Sequence, residues 1–131
     1  MAPRSGYPDA MELTFEGTLP RPPRREIREV AQCLSWTYEG LDGGWHVLWV
    51  SFDVPLLKSP RVYIREEAPL RYVGRGVVPA GELLFEIRVE DCGGQCRWVF
   101  RGVQRGAINL LGRGVFESLA GRMVDRIVAC L

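Results

Sequence analysis

Four cysteines and a single histidine are the side chains of this 131-residue chain most able to do specific chemistry. Cys92 and Cys96 flank a glycine-containing turn, and a disulfide can join the two flanking strands if these cysteines lie opposite each other. A zinc site is disfavoured, because a CxxxC pair with two remote cysteines lacks the spacing of paired zinc ligands. Four unpaired thiols are the alternative to disulfides.

No arrangement of nucleophile, acid and base stands out in the sequence. His46 has no Ser, Cys or Asp partner motif and no metal-ligand spacing, so we interpret it as a structural residue of a strand. Gly74 and Gly76 lie in a predicted strand that no helix follows, so they do not form a phosphate-binding loop. The sequence therefore predicts no catalytic residue, no metal ion and no cofactor.

Composition and charge are typical of one globular domain. Hydrophobic residues make up 47% of the chain and charged residues 25%. A net charge of +1 argues against a nucleic-acid-binding protein, which needs a strong positive excess. The sequence has no apolar run long enough for a transmembrane helix, and its first residues lack the apolar centre of a secretion signal. We therefore expect a cytoplasmic protein. Lys58 is the only lysine, which we attribute to genome composition, with a hot habitat (a thermophile) as the alternative.

Periodicity predicts one domain over residues 11–131 after a disordered tail over residues 1–10. A strand over Met11–Leu19 is followed by prolines and by a short helix over residues 24–34. The pattern then alternates with a period of two, and short turns join the segments, which indicates antiparallel neighbours. The strands predicted for this stretch cover residues 35–39, 45–54, 61–66, 70–78, 82–90 and 96–105.

The chain ends in an amphipathic segment with helical spacing. Apolar residues recur from Ile108 to Leu131 at intervals that predict a helix of about 24 residues with a wide apolar face. We expect Gly112 and Gly114 to mark its frayed beginning, and Gly121 to mark a close approach to the sheet. This face must pack on another apolar surface.

Three segments resemble the START or birch-pollen-allergen superfamily, also called the SRPBCC or helix-grip superfamily. They are MELTFEGTLPRPP at the first strand, FDVP at the end of a later strand, and LLGRGVFESLAGRMVDRI in the last helix. Within the superfamily they are most similar to the branch of the G-type subunits of carbon monoxide dehydrogenase. Members of this branch begin with a similar strand and a proline-rich entry to a helix.

The resemblance implies an α+β helix-grip fold, in which a seven-stranded curved antiparallel sheet wraps round the long C-terminal helix. The superfamily places two helices between its first two strands, whereas the roughly fifteen residues after Leu19 leave room for one short helix here. In this fold the ends of the short and long helices approach each other. The resemblance therefore implies a second disulfide, Cys33–Cys130.

Alternation also predicts which side chains face the space between sheet and helix. Both faces of the strand over residues 45–54 are apolar. We place Leu48 and the residues that alternate with it inward, because this choice keeps Ser51 and Asp53 in water. The predicted ligand-binding residues are Leu48, Val50, Phe52, Val62, Ile64, Tyr72, Phe85, Ile87, Trp98, Phe100, Val115, Phe116, Leu119 and Met123. A solid core built from the same residues is the alternative.

The resemblance implies a binding protein rather than an enzyme, with a lipid-like or quinone-like molecule as its partner. The G-type branch implies an accessory role beside a carbon monoxide dehydrogenase-type enzyme, with contact to that enzyme or to a membrane surface. One alternative is a polyketide cyclase-like or dehydratase-like enzyme with His46, Tyr72 or Glu66 as acid or base. Another is a structural homodimer that uses outward-facing Trp45 and Trp49 as its interface, unless arginine stems cover these rings.

Overall fold

The computed structural model of the chain describes residues 10–50, 61–78, 81–106 and 113–131. Apart from residue 10, the predicted disordered tail lies outside these ranges, as does the predicted beginning of the last helix over residues 108–112. The elements in chain order are β1 (Met11–Leu19), α1 (Ile27–Leu34), β2 (Thr37–Asp42), β3 (Trp45–Trp49), β4 (Arg61–Ala68), β5 (Arg71–Val78), β6 (Gly81–Glu90), β7 (Cys96–Gly106) and α2 (Arg113–Ala129). Neither of these helices is long and apolar enough to cross a membrane.

One curved antiparallel sheet of seven strands carries the fold, in the order β1-β7-β6-β5-β4-β3-β2. The strands from β2 to β7 pair in chain order, and β1 pairs with β7 at the far edge. The alternating pattern therefore predicted both the number of strands and the meander correctly. The predicted α+β arrangement of one sheet, a short helix and a C-terminal helix is confirmed at this level.

The short helix α1 begins at Ile27, three residues later than the predicted range of 24–34. Glu26 is its N-cap, and the carboxylate of Glu29 accepts a hydrogen bond from the Glu26 backbone N–H at 2.9 Å. The Glu26 side chain in turn accepts a hydrogen bond from the backbone of the third helical residue. This reciprocal capping box satisfies two backbone N–H groups and fixes where the helix starts.

The end of α1 explains why β2 starts later than predicted. Ser35 adopts a left-handed conformation with φ of 60°, and the backbone N–H of Trp36 donates to the carbonyl of Ala31 at 2.9 Å. Residues 35 and 36 therefore close the helix rather than open a strand, and β2 begins at Thr37. The strand β3 ends at Trp49, so Val50 lies beyond it, and the rest of the predicted 45–54 strand falls outside the described residues.

Two groups of buried residues form the core on the inner face of the sheet. The larger group joins β1, β5, β6 and β7 to α2, and the smaller group joins α1 and β3 to the end of α2. Ile64, Ile127 and Leu131 pack against both groups. Gly121 meets β1, since a methyl group built on it would lie 3.3 Å from the ring of Phe15. The expected close approach of this glycine to the sheet is thus present.

The C-terminus of α2 is fastened to α1 by a disulfide and by hydrogen bonds. Cys33 and Cys130 are joined, with their Cα atoms 5.8 Å apart. The guanidinium of Arg25 donates to the carbonyl of Cys130 at 3.1 Å, and that of Arg126 donates to the carbonyl of Leu34 at 3.4 Å. We call this set of contacts the helix clasp. It holds the two helices together at one end of the sheet.

A second disulfide joins Cys92 and Cys96 across the turn between β6 and β7. Cys96 is 1% exposed and belongs to the larger core group, while Cys92 is half-buried. Asp91 enters the turn with φ of 57°, a conformation that aspartate tolerates better than most residues. Cys92–Cys96 closes a covalent loop of only a few residues within one hairpin, whereas the loop closed by Cys33–Cys130 contains most of the chain.

The two disulfides are expected to differ in their contribution to stability. Removing Cys33–Cys130, whose cysteines are 97 residues apart, should lower the free energy of unfolding by about 4–5 kcal/mol, because the long loop loses its restraint in the unfolded chain. Removing Cys92–Cys96, with a separation of 4, should cost only about 2 kcal/mol. Denaturant unfolding of the two double Cys→Ala variants measures both. An equal loss of unfolding free energy in the two variants would contradict the larger contribution assigned to Cys33–Cys130.

Two glycines of β5 are expected to respond differently to an added methyl group. A Cβ on Gly74 would overlap the ring of Phe85, whereas a Cβ on Gly76 would lie 3.9 Å from Leu83 and Val62, which is ordinary contact. Gly74→Ala should therefore lower the free energy of unfolding by about 1–3 kcal/mol through overpacking. Gly76→Ala is the matched control and should change it little. Thermal unfolding compares them, and equal melting temperatures would refute the packing described here.

Candidate functional site

An apolar cavity of about 140 Å³ lies between the inner face of the sheet and the two helices. Its wall is supplied by α1, α2, the end of β3 and strands β4 to β7. Most of the predicted ligand-binding residues line it: Leu48, Val50, Val62, Ile64, Tyr72, Phe85, Ile87, Phe100, Phe116, Leu119 and Met123. The structure thus gathers the residues that alternation placed inward around one space.

Three predicted residues are not among the lining residues. Val115 is 55% exposed, so its assignment to the cavity is wrong. The inward stripe of α2 passes through Phe116 and Ala120, and Val115 lies about 100° round the helix from Phe116, where the sheet does not cover it. Trp98 is buried instead against β1, close to Gly17. Phe52 lies outside the described residues.

The part of the wall near the helix clasp was not predicted from the sequence. The inner side of α1 and the residue after it contribute there, as does the last turn of α2. The missed apolar residues are Ile27, Val30, Leu34, Trp36, Val124, Ile127 and Leu131. The spacing of apolar residues in α1 predicted that one face of this helix is buried. That face lines the cavity because the ends of α1 and α2 lie close together, which the spacing alone does not predict.

Few polar side chains line the cavity. Gln104 is 1% exposed, and its amide nitrogen donates to the carbonyl of Arg105 at 2.9 Å. Burial raises the pKa of Tyr72, and the nearby carboxylate of Glu66 raises it further, so the phenol stays protonated at neutral pH. Alternation along β7, through residues 98, 100, 102 and 104, could have identified the glutamine as an inward residue.

Trp36 lines the cavity and carries one polar nitrogen in its side chain. Its side chain is 8% exposed, and its indole nitrogen Nε1 is buried without a hydrogen-bond acceptor among the described residues. Most buried polar groups in proteins are paired, and a donor left unpaired costs about 1–3 kcal/mol. This nitrogen is enclosed by the surrounding side chains and does not face the open space of the cavity, so Trp36 contributes apolar ring surface to the wall.

Two charged residues complete the lining, and each has a partner. The guanidinium of Arg25 belongs to the helix clasp through the carbonyl of Cys130. The carboxylate of Glu82 lies 3.7 Å from the guanidinium of Arg75. Tyr72, Arg25 and Glu82 are therefore the titratable side chains of the lining within the described ranges. Glu82 is the carboxylate of this set, and it forms an ion pair with Arg75.

His46 and Glu66, two of the residues considered for acid or base catalysis, are engaged elsewhere. The Nδ1 atom of His46 lies 2.7 Å from the hydroxyl of Tyr38, and burial lowers the pKa of the imidazole despite the opposing charge of Glu26. Glu66 is exposed and accepts a hydrogen bond from the backbone N–H of Leu70 at 3.1 Å in the β4–β5 turn. Of the three candidates only Tyr72 reaches the cavity.

The outer face of the sheet carries two tryptophans, each covered by an arginine. The guanidinium carbon of Arg65 lies 4.3 Å from the ring centre of Trp45, and that of Arg61 lies 4.3 Å from the ring centre of Trp49. Both tryptophans are half-buried. The prediction that Trp45 and Trp49 face outward from β3 is therefore correct. Each of these rings makes a cation–π contact with an arginine instead of lying uncovered. A homodimer through these tryptophans stays a prediction.

The same described residues contain no group of three or more His, Cys, Asp or Glu side chains suited to hold a metal ion. The wall of the cavity thus offers mainly apolar contact, with Tyr72, Gln104, Arg25 and Glu82 as polar side chains among the described residues. Such a lining can enclose a molecule and orient it.

Comparison with known proteins bears on the fold. No protein-family model matches the chain, and no curated protein matches it significantly. Among solved structures, the chain is similar to the crystal structure of the Mll3558 protein from Rhizobium loti, with 18% sequence identity and a TM-score of 0.54. The match covers 93% of this chain and 97% of that chain. At this identity the likeness is evidence for the fold alone, a sheet-dominated α+β domain with one long C-terminal helix.

Proposed function

We propose that this chain is a helix-grip domain of the SRPBCC type that binds a small apolar molecule in the cavity between sheet and α2. The single observation that carries the proposal is the cavity itself, about 140 Å³ of space with an almost wholly apolar wall. The sequence resemblance to the superfamily supports it, because folds of this type often hold hydrophobic ligands.

The energetics of an open space in the core support binding over a structural role. Protein interiors are normally packed as densely as organic crystals. The apolar walls of this partly open space of 140 Å³ lack the contacts that a packed core would give them. An occupant that fills the space would recover contacts with the wall. A purely structural module gains nothing from leaving such a space between its sheet and its helix.

The residues around the cavity favour a binding protein over the cyclase-like or dehydratase-like alternative. General acid–base catalysis needs a group whose proton can be exchanged near neutral pH. Tyr72 has a raised pKa, and the other titratable lining residues are the paired Arg25 and Glu82. The contribution of the wall is therefore burial of the ligand, worth roughly 25 cal/mol per Å² of apolar surface.

The proposal extends to a biological setting through the resemblance of three segments to the G-type branch. These segments are MELTFEGTLPRPP, FDVP and LLGRGVFESLAGRMVDRI. In that setting the domain would serve as an accessory subunit beside a carbon monoxide dehydrogenase-type enzyme. The motif resemblance is the whole support for this setting, and the binding role does not depend on it.

Filling the cavity should abolish binding without unfolding the protein. Ala120 lines the cavity on α2, so Ala120→Leu should occupy part of the space. We expect benzene to raise the melting temperature of the wild type, refolded to remove co-purified molecules, and to leave that of Ala120→Leu unchanged. An engineered apolar cavity of about 150 Å³ is known to take up benzene. Thermal unfolding with and without benzene makes the measurement.

Ala129→Leu is the matched control, because Ala129 is exposed on the same helix. It should keep the benzene response of the wild type. Leu119→Phe, a second lining variant, serves if Ala120→Leu does not fold. A wild type that shows no response to benzene would refute the proposed function. An equal response of wild type and both lining variants would place the binding site outside this cavity.

A further inference from the structure

Accepting the proposed function, we propose that the bridge Cys33–Cys130 is a redox switch of ligand binding. Its reduction by an external dithiol opens the helix clasp and lowers the affinity of the cavity for its ligand. The inference rests on three features of the structure. The bridge joins two parts of the cavity wall, one of its cysteines is exposed, and the helix that it holds is short.

The bridge joins the two helices next to residues that line the cavity. Leu34 follows Cys33 in the chain, and its side chain lines the cavity. Leu131 follows Cys130 and lines the cavity too. One turn earlier, each helix contributes a further lining residue. The bridge, with its Cα atoms 5.8 Å apart, therefore fixes the spacing between the α1 side and the α2 side of this wall.

The helix α1 depends on outside contacts for its position. It has eight residues, and a helix of this length does not persist alone in water. Ile27, Val30 and Leu34 line the cavity, so the packing beneath the helix is incomplete. The other links of the clasp are hydrogen bonds from Arg25 and Arg126, which are individually weak. Reduction of the bridge therefore removes the covalent restraint between the two helices.

A reductant can reach the bridge from the Cys33 side. Cys33 is exposed, and its Sγ accepts a hydrogen bond from the guanidinium of Arg25 at 3.7 Å in an exposed contact. Cys130 is only 6% exposed. A thiolate of the external dithiol attacks the Sγ atom of Cys33 and forms a mixed disulfide with it. The Cys33–Cys130 bond breaks, and its electron pair goes to the Sγ atom of Cys130, which takes up a proton.

The second thiol of the dithiol completes the reduction. After it loses its proton, it attacks the dithiol sulfur of the mixed disulfide, and the electron pair of that bond goes to the Sγ atom of Cys33. The positive charge of Arg25 stabilises the thiolate formed there, which is then protonated. The dithiol ends as a cyclic disulfide, and its two electrons and two protons have converted the bridge to two thiols.

The test uses benzene as the probe and two variants that each keep one bridge. Cys92→Ala/Cys96→Ala keeps Cys33–Cys130, and its dissociation constant for benzene should rise about tenfold when dithiothreitol reduces the bridge. Cys33→Ala/Cys130→Ala, the matched control, should bind benzene as weakly as that reduced form, with or without dithiothreitol. NMR titration measures the dissociation constants, and the amide spectrum shows whether the reduced protein stays folded.

A reciprocal measurement keeps the test decisive if Cys33→Ala/Cys130→Ala does not fold. Because binding and reduction are linked, each changes the equilibrium of the other by the same factor. In Cys92→Ala/Cys96→Ala, saturating benzene should therefore raise, by that factor, the ratio of reduced to oxidised dithiothreitol at which half of the bridge is reduced. Alkylation of the free thiols followed by mass measurement determines this midpoint.

The outcomes separate the switch from the proposed function. An unchanged dissociation constant after reduction, or an unchanged midpoint with benzene, would overturn the switch and leave the proposed function standing. Unfolding of the whole chain on reduction would also overturn the switch, because the bridge would then stabilise the entire fold and not the wall alone. Absence of benzene binding to the oxidised wild type would overturn the switch together with the proposed function.

Discussion

The packing of α2 against the inner face of the sheet is the constraint on which the rest of the structure depends. A sheet with one apolar face must cover that face, and the helix provides the cover through Phe116, Val124 and Val128. Its position also decides which strand residues are enclosed and which reach solvent. The cavity exists only as a space between these two surfaces, so any movement of the helix would change its volume.

The helix clasp sets the position of α2 along the sheet. The disulfide between Cys33 and Cys130 and the hydrogen bonds of Arg25 and Arg126 all act at the C-terminal end of the helix. Near its middle the helix packs on β1, where Gly121 approaches the ring of Phe15. Arg25, Leu34 and Leu131 line the cavity at this end, so the clasp forms part of its wall.

Missing side chains on the inner face shape the cavity. A methyl group on Gly74 would overlap Phe85, and one on Gly102 would lie 3.1 Å from Phe100, so neighbouring rings already occupy the space beside these glycines. Beside Gly76, however, the nearest atoms to such a methyl group are 3.9 Å away. Gly76 also lines the cavity, so the open space borders this end of β5.

Alternation of apolar residues predicted the sheet well because burial on one face imposes a period of two wherever a strand pairs. The same rule placed Leu48 and Tyr72 inward correctly. It failed where a local backbone conformation decides the outcome, as at Ser35, whose left-handed geometry belongs to the helix end. It could not find Trp36, because that residue lies between a helix and a strand and follows the period of neither. Val115 shows the limit of helix periodicity. The period predicts which side of the helix is apolar, but not how far round the helix the sheet covers it.

The arginines that lie over Trp45 and Trp49 give the unusual basic composition a physical meaning. A guanidinium is planar and weakly hydrated, so it can lie flat on an indole ring and still face water, whereas the compact ammonium of lysine cannot. Arg61 and Arg65 make the outer aromatic surface wettable in this way, each at 4.3 Å from its ring centre. With Lys58 as the only lysine of the chain, the preference for arginine places a planar guanidinium over each of these two large rings. Exchange of either arginine for lysine would keep the charge and lose the planar stacking on the ring.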